Sequence, residues 1–194
     1  MNIAIIPARG GSTRIPKKNI RDFHGIPIIA HSIEIAEDSE LFDKIIVSTD
    51  SKEIADVAKE YGAKIHNRSE ELSRDEVGTQ EVVQDVIEGE YVTPDLVCCI
   101  YATAPLMSIK HLERGFDILR YYSETHFYAM SVGINTQADA GQFYWGWASA
   151  FSVGHPLIGM RTAMVPIDAE RVCDINTEED WKRAEAMYES LHNS

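Results

Sequence analysis

Short apolar runs alternate with stretches of helical periodicity along most of this chain. The apolar runs predict strands at residues 3–6, 44–48, 64–66, 96–101 and 127–132. Apolar positions three and four residues apart predict helices at residues 27–37, 52–61, 79–89, 109–122 and 177–191. Strands that alternate with helices in this way indicate a three-layer α/β/α domain with a mostly parallel sheet. We expect residues 1–194 to form one such domain.

Several helices carry recognisable local signals. Either Asp50 or Ser51 is in position to cap the second helix, and Gly62 follows the end of that helix. The last helix begins with a capping box, in which Thr177 is followed three residues later by Asp180. His31 lies within the apolar periodicity of the first helix, so we expect it to pack rather than to catalyse.

Polar or cationic segments follow four of the predicted strands. They are residues 9–19, residues 48–50, Arg68 and residues 101–105. The carboxyl ends of parallel strands meet at one edge of a sheet, and ligands bind beyond that edge. We therefore expect these four segments to form one site. The competing interpretations are that Arg68 is a solvated strand end and that Asp50 only caps a helix.

The segment after the first strand, ARGGSTRIPKKN, is the most informative of the four. Between Arg9 and Arg21 the chain has five basic residues and no acidic one, although its net charge is −13. Adjacent glycines let backbone N–H groups approach phosphate oxygens, and Arg and Lys neutralise phosphate charge. A focused positive loop on an acidic body favours a small polyphosphate ligand over an extended nucleic-acid surface. The alternative is a basic loop that only aids solubility.

Two other classes of phosphate-binding protein lose support at the same loop. It contains neither the GxxxxGK[ST] pattern of P-loop kinases nor the GxGxxG pattern of dinucleotide oxidoreductases.

Composition and cysteine usage limit the class of protein further. No apolar run approaches the roughly 20 residues of a membrane-spanning helix, and no signal peptide is evident. Two of the three cysteines are adjacent, Cys98 and Cys99, and no pair has zinc-site spacing. We expect the cysteines to be reduced and to lie in the core. We also expect the protein to be a cytoplasmic enzyme that binds neither nucleic acid nor membrane.

The ordered set IPARGGS-x-R-IP-KKN, IIVSTD and IADVAKEYGA resembles the CMP-sugar nucleotidyltransferases, which include the CMP-sialic acid synthetases. The resemblance implies a Rossmann-like nucleotidyltransferase fold. The segments CCIYATAP and DAGQFYWG are similar to the pseudaminic acid branch of that family. Tyr101 stands where sialic acid enzymes tend to have Gln, and Met107 stands where they have Arg.

The resemblance implies a reaction in which CTP and a nine-carbon α-keto acid sugar, here pseudaminic acid, give a CMP-sugar and pyrophosphate with Mg²⁺. Sialic and legionaminic acids remain alternative sugars, and a weakly active or non-catalytic CTP-binding relative remains an alternative class.

The resemblance also assigns site residues. Arg9 and Lys18 would be the catalytic cations, and Asp174 and Asn176 would hold Mg²⁺. The alternative for Asp174 is a surface turn residue without a role in metal binding. The residues expected to bind nucleotide are Ala8, Arg9, Gly10, Gly11, Ser12, Thr13, Lys18, Asn19, Arg68, Thr79 and Tyr101. The residues expected to bind the sugar are Thr103, Gln142 and Tyr144.

Three positions depart from the family pattern. Thr13 stands where the family often has Lys, so a loop cation is lost. Asn176 replaces the second carboxylate of the metal pair, which should lower metal affinity. Residues 134–138 stand where the family has a longer excursion that faces the sugar and forms a dimer. The excursion is shortened or missing near residues 133–139, and a homodimer is left open.

Overall fold

The computed structural model describes residues 1–12 and 14–192. Its strands are β1 (Asn2–Pro7), β2 (Asp22–Phe23), β3 (Ile26–Pro27), β4 (Lys44–Thr49), β5 (Lys64–Asn67), β6 (Leu96–Ile100), β7 (Tyr128–Gly133), β8 (Asp139–Trp147) and β9 (Thr162–Ile167). Its helices are α1 (Ile28–Asp38), α2 (Lys52–Glu60), α3 (Thr79–Glu88), α4 (Ile109–Tyr121), α5 (Ala148–Ser152) and α6 (Glu178–His192).

Seven strands form one mixed sheet in the order β5-β4-β1-β6-β8-β7-β9. Within it β5, β4, β1 and β6 run parallel, as do β7 and β9, whereas β8 is antiparallel to both of its neighbours. Strands β2 and β3 form a separate small hairpin. The mostly parallel sheet is confirmed, and the five predicted strands are all present. The sequence prediction omitted β8, β9 and the short helix α5.

Apolar side chains cover both faces of the sheet. Ala4 and Ile6 of β1 pack into the core layer that includes Ile33 of α1 and Leu112 of α4. The alternate residues of the same strand, Ile3 and Ile5, pack into the opposite layer, with α3 and α5. Successive side chains of a strand point to opposite faces, so this alternation builds the predicted three layers.

A smaller cluster joins the first loop to the end of the chain. Ile15 and Phe23 pack with Ile175 and Trp181, and all four are buried. The capping box of α6 is confirmed, because the Asp180 carboxylate accepts from Thr177 N and Oγ1 while Thr177 Oγ1 accepts from Asp180 N. The position of α6 therefore depends on contacts with a loop near the other end of the sequence.

A tight turn joins β7 to β8. Gly133 N donates to Ala138 O at 2.8 Å, and Gln137 N donates to Gly133 O at 2.8 Å. The chain passes from one strand to the next through Ile134–Ala138 alone. Among the described residues, no helix has the length and apolar character needed to cross a bilayer.

The adjacent cysteines lie in the core, as expected. Cys98 and Cys99 are both free and fully buried in β6. Burial raises the pKa of each thiol, and for Cys99 the value is about 12. Neither thiol is therefore poised to react as a thiolate.

Candidate active site

A cavity of about 240 Å³ lies beyond the carboxyl ends of the parallel strands; we call it the main cavity. Three of the four predicted segments line it. The fourth, residues 48–50, is not part of the lining but accepts hydrogen bonds from Gly10 N and the Arg68 side chain at the same edge of the sheet. The cavity is lined by Pro7, Arg9, Ser12, Arg14, Lys18, Asn19, Arg68, Val77, Gly78, Thr79, Val82, Tyr101, Ala102, Thr103 and Asn176. The expectation that these segments meet at one edge is confirmed.

The first loop is anchored by two hydrogen bonds near its start. Asn19 Nδ2 donates to Arg9 O at 2.9 Å, and Gly10 N donates to Asp50 Oδ1 at 2.8 Å. A side chain at Gly10 would bring its Cβ to 3.0 Å from Ser51 Cβ, which is tighter than ordinary contact. Ser51, not Asp50, caps α2, because Ser51 Oγ accepts from Ile54 N. Asp50 is thus a loop-holding residue.

Lys18 and Arg68 are cations held in place before any ligand arrives. Lys18 Nζ donates to Ile175 O at 2.8 Å, and burial, together with nearby Arg14 and Arg9, lowers the pKa of Lys18 despite Asp174. Arg68 is only 8% exposed and donates from Nη2 to Ser48 O at 2.6 Å. Burial also lowers the pKa of Arg68. A solvated strand end is therefore the wrong interpretation of Arg68.

Arg9 differs from the other two cations because its partner is a carboxylate. Arg9 Nη1 forms an ion pair with Asp75 Oδ1, and both side chains are more than one third exposed. Asp75 lies on the connection between β5 and α3 and did not stand out in the sequence. This ion pair is a contact that an anionic ligand would have to replace.

The opposite wall of the main cavity is formed by aromatic and hydroxyl groups. Tyr101 Oη lies 3.4 Å from Thr79 Oγ1, and Ser32 Oγ donates to Tyr101 O at 2.9 Å. Burial raises the pKa of Tyr101 to about 12, so the phenol keeps its proton at neutral pH. This wall offers hydrogen bonds without adding negative charge.

A second space of about 210 Å³, which we call the side cavity, adjoins the main cavity. It is lined by Tyr101, Thr103, Asp139, Gly141 and Asp174. Asp174 is exposed, and its Oδ2 accepts a hydrogen bond from Asn176 Nδ2. The described residues contain no cluster of three His, Cys, Asp or Glu side chains able to hold a metal ion.

The structure brings most of the predicted site residues together. Nine of them line the main cavity: Arg9, Ser12, Lys18, Asn19, Arg68, Thr79, Tyr101, Thr103 and Asn176. Asp174 lines the side cavity, whereas Tyr144 contacts two of the lining residues, Asp139 and Tyr101, without lining it. Ala8 is buried behind the loop and donates its N–H to Ser48 O.

Five predicted residues lie outside the lining of both cavities, namely Ala8, Tyr144, Gly10, Gly11 and Gln142, and one is not described. Gly10 and Gly11 shape the loop, and Gly11 has open space around its Cα. Gln142 is only 3% exposed, and its Nε2 donates to Arg171 O at 2.6 Å, while its Oε1 is buried with no hydrogen-bond partner among the described residues. Thr13 lies outside the described residues. Sugar contact by Gln142 stays a prediction.

The sequence matches known proteins along nearly its whole length. A family model described as cytidylyltransferase matches residues 3–186. The chain is 36% identical to the pseudaminic acid cytidylyltransferase of Campylobacter jejuni, in an alignment that covers 100% of this chain and 98% of that protein. That alignment has 229 positions against 194 residues here, so part of the relative has no counterpart in this chain.

Two further similarities concern part of the chain and its fold. A CMP-N,N'-diacetyllegionaminic acid synthase of Legionella pneumophila is 51% identical over 123 residues, which are 60% of this chain and 52% of that protein. The solved structure of CMP:2-keto-3-deoxy-manno-octonic acid synthetase with CTP has a TM-score of 0.79 at 16% identity, covering 98% of this chain and 99% of that one. That likeness shows the nucleotidyltransferase fold.

Proposed function

Since this chain belongs to the cytidylyltransferase family, we propose that it transfers CMP from CTP to pseudaminic acid, a nine-carbon α-keto acid sugar, and releases pyrophosphate. The observation that carries this proposal is the 36% identity to a pseudaminic acid cytidylyltransferase across the whole chain. Tyr101 and Met107, which depart from the sialic acid pattern, favour the same sugar.

The proposed reaction joins the anomeric oxygen of the sugar to the α-phosphorus of CTP, releases the hydroxyl proton to solvent, and breaks the bond from that phosphorus to the oxygen that bridges it to the β-phosphorus. Negative charge grows on the departing pyrophosphate, and catalysis of such a step depends chiefly on positioning and charge stabilisation. Arg9, Lys18 and Arg68 line the cavity that would hold the triphosphate. Lys18 and Arg68 already have backbone carbonyl partners that orient them, which lowers the cost of reorganisation.

Mg²⁺ is the second part of the proposal, and the residues present fit it. Asp174 and Asn176 are close enough to hydrogen-bond with each other, and they offer one carboxylate and one amide oxygen. Mg²⁺ is commonly held by one or two carboxylates together with substrate phosphates. The bound ion would withdraw charge from the phosphate oxygens. Because only one of the two protein groups is charged, we expect tight Mg²⁺ binding to require CTP.

Pyrophosphate release tests the reaction directly. The protein is incubated with CTP, Mg²⁺ and pseudaminic, legionaminic or N-acetylneuraminic acid, with EDTA as the metal control. Fastest release with pseudaminic acid supports the proposal, and release without divalent metal would contradict its Mg²⁺ part. CTP binding without release for any sugar would instead identify a non-catalytic relative.

Legionaminic acid is the second candidate sugar. The observation that favours it is the 51% identity to the Legionella synthase, although that match covers 60% of the chain. The same panel separates the two, because a higher kcat/KM with legionaminic acid would reverse the order.

Adjacent lysines provide a matched test of the proposed cation. Lys18→Gln should lower kcat/KM by about 10²- to 10³-fold, because a fixed charge at the developing pyrophosphate is lost. Lys17→Gln should change it little, since Lys17 pairs with Glu53 and does not line the main cavity. Equal losses in both variants would contradict a special role for Lys18.

The cytoplasmic location and the homodimer stay predictions. Light scattering would determine the oligomeric state in solution.

A further inference from the structure

The side cavity differs from the main cavity in charge. Arg9, Arg14, Lys18 and Arg68 all line the main cavity. In contrast, no basic side chain among the described residues lines the side cavity, which has the carboxyl groups of Asp139 and Asp174. Tyr101 and Thr103 belong to both linings and form the boundary between them. A ligand that spans the two spaces would meet cations at one end and hydrogen-bond acceptors at the other.

Asp139 is held in a fixed orientation from two sides. Its Oδ1 accepts from Gly141 N at 2.9 Å, and its Oδ2 accepts from the hydroxyl of Tyr144. Gly141 has a φ of +64°, a conformation that favours glycine and that brings its N–H back towards the start of β8. Asp139 itself remains exposed, so its free lone pairs face solvent and the side cavity.

Tyr144 is a reliable donor to that carboxylate. The ring is only 3% exposed, and burial, followed by the hydrogen bond to Asp139, raises the pKa of Tyr144. The phenol therefore stays protonated across the physiological pH range. A carboxylate that already accepts from two fixed donors is preorganised to accept a further hydrogen bond.

We propose that Asp139 is a specificity-determining residue that accepts a hydrogen bond from a hydroxyl or amide N–H of the acceptor sugar. The inference rests on the proposed function. Like charges repel at short range, so Asp139 would also disfavour a pose that brings the sugar's carboxylate against it. Tyr144 is a positioning residue, because it donates to Asp139 and does not itself line the side cavity.

The test compares Asp139→Ala and Asp139→Asn with Asp117→Asn, which removes an exposed carboxylate from α4. Pseudaminic acid binding to the CTP-containing protein is measured by saturation-transfer NMR, turnover by pyrophosphate release, and CTP affinity by calorimetry without sugar. Asp139→Ala should weaken sugar binding and raise the sugar KM by about 10- to 100-fold, the range for a lost charge-assisted hydrogen bond. Asp139→Asn should show a smaller loss, and Asp117→Asn none.

Tyr144→Phe tests the positioning role. It should raise the sugar KM by less than Asp139→Ala does and leave the CTP affinity unchanged. A sugar analogue that lacks the recognised donor group should bind the unsubstituted protein more weakly than pseudaminic acid does. Asp139→Ala should not weaken the binding of that analogue further. If Asp139→Ala weakened the binding of pseudaminic acid and of the analogue by the same factor, direct recognition by Asp139 would be overturned.

The outcomes also separate this inference from the proposed reaction. If the unsubstituted protein turns over and Asp139→Ala binds the sugar equally well, the inference is wrong and the reaction stands. If there is no turnover but Asp139→Ala abolishes sugar binding, the reaction is wrong and the inference stands. If the unsubstituted protein neither binds nor transfers any nonulosonic acid, both are wrong. An equal loss of CTP affinity in Asp139→Ala would assign Asp139 to nucleotide binding and overturn the inference.

Discussion

Three polar side chains of the main cavity are held by backbone groups. Lys18, Arg68 and Asn19 each donate to a carbonyl oxygen, which fixes their direction without neutralising charge. Arg9 is paired instead with the carboxylate of Asp75. Loss of this ion pair costs the protein little, because exposed pairs contribute about 0.2–1 kcal/mol. Arg9 is therefore more easily redirected to a ligand than Lys18 or Arg68.

Asp75→Asn should strengthen CTP binding. The substitution removes the competing carboxylate, and the 0.2–1 kcal/mol of an exposed ion pair corresponds to about 1.4- to 5-fold in affinity. Calorimetric titration with CTP measures the change. Glu76→Gln removes a neighbouring exposed charge and is the control. Weaker CTP binding in Asp75→Asn would show that Asp75 contributes to the bound state.

Asn176→Asp should lower the stability of the metal-free protein and raise its affinity for Mg²⁺. Without metal, repulsion between residues 174 and 176 should lower Tm by about 1–3 °C, given the small energies of exposed charge pairs. With CTP, the Mg²⁺ concentration for half-maximal activity should fall on the order of tenfold, because a second charged ligand is added. Thermal melts and Mg²⁺ titrations measure both effects, with Asn135→Asp as the control. An unchanged Mg²⁺ requirement would argue against a metal ligand at position 176.

The segment that contains Asp174 and helix α6 supports the first loop. Ile175 and Trp181 bury Ile15, and the Arg21 guanidinium lies 4.4 Å from the centre of the Trp181 ring. Arg21 also pairs with Glu178, at 2.6 Å. The loop is thus packed against the segment that carries the proposed metal ligands.

Ile15→Ala should impair both stability and CTP binding. A buried Ile-to-Ala change costs about 2–5 kcal/mol, and the cavity it leaves would free Arg14 and Ser12 beside it. Urea denaturation and calorimetry measure the two effects. Ile3→Ala, at the far end of β1 in another cluster, should cause a comparable loss of stability without the loss of CTP affinity. Equal CTP affinities in both variants would contradict the packing argument.

The sequence predicted β1, β4, β6 and β7 because each contains an apolar run, as strands buried on both faces require. Strand β8 mixes Asp139 and two glycines with aromatic residues, and edge strand β9 contains Pro166, so neither shows a clear period. Arg9, Lys18 and Arg68 were found because they follow strand ends. Asp75 and Asp139 were not found. The pairing of Asp75 with Arg9 depends on the path of irregular loops, and the partners of Asp139 depend on the turn at Gly141.

At the scale of the whole molecule, charge and titration are unevenly distributed. The chain carries a net charge of −13, yet four cations face one cavity. Two histidines are placed where protonation is costly, since burial lowers the pKa of His31 and of His111. The expectation that His31 packs is confirmed by its ring contacts with Phe23 and Tyr188.

Stability should fall as the pH drops from about 6.5, the unfolded histidine pKa, through the lowered folded values. Between these pKa values the unfolded chain binds protons at histidines that stay neutral in the folded protein. His24 and His192 oppose protonation of His31 as well, whereas Glu34 and the Phe23 carbonyl favour it. Urea denaturation at pH 7, 6 and 5 should show a shallower decline for His31→Gln than for the unsubstituted protein. His126→Gln is the control, and an equally steep decline in His31→Gln would contradict this assignment.

The bond from Lys18 to the Ile175 carbonyl joins residues 157 positions apart. During translation, the first loop leaves the ribosome long before Ile175 and Trp181 are made. At that stage Ile15 lacks two of its packing partners, Ile175 and Trp181, and closing so long a loop is entropically slow. A nascent chain therefore has β1 and its cations but not their final arrangement. We therefore expect the proposed CTP site to be complete only after synthesis has passed residue 181.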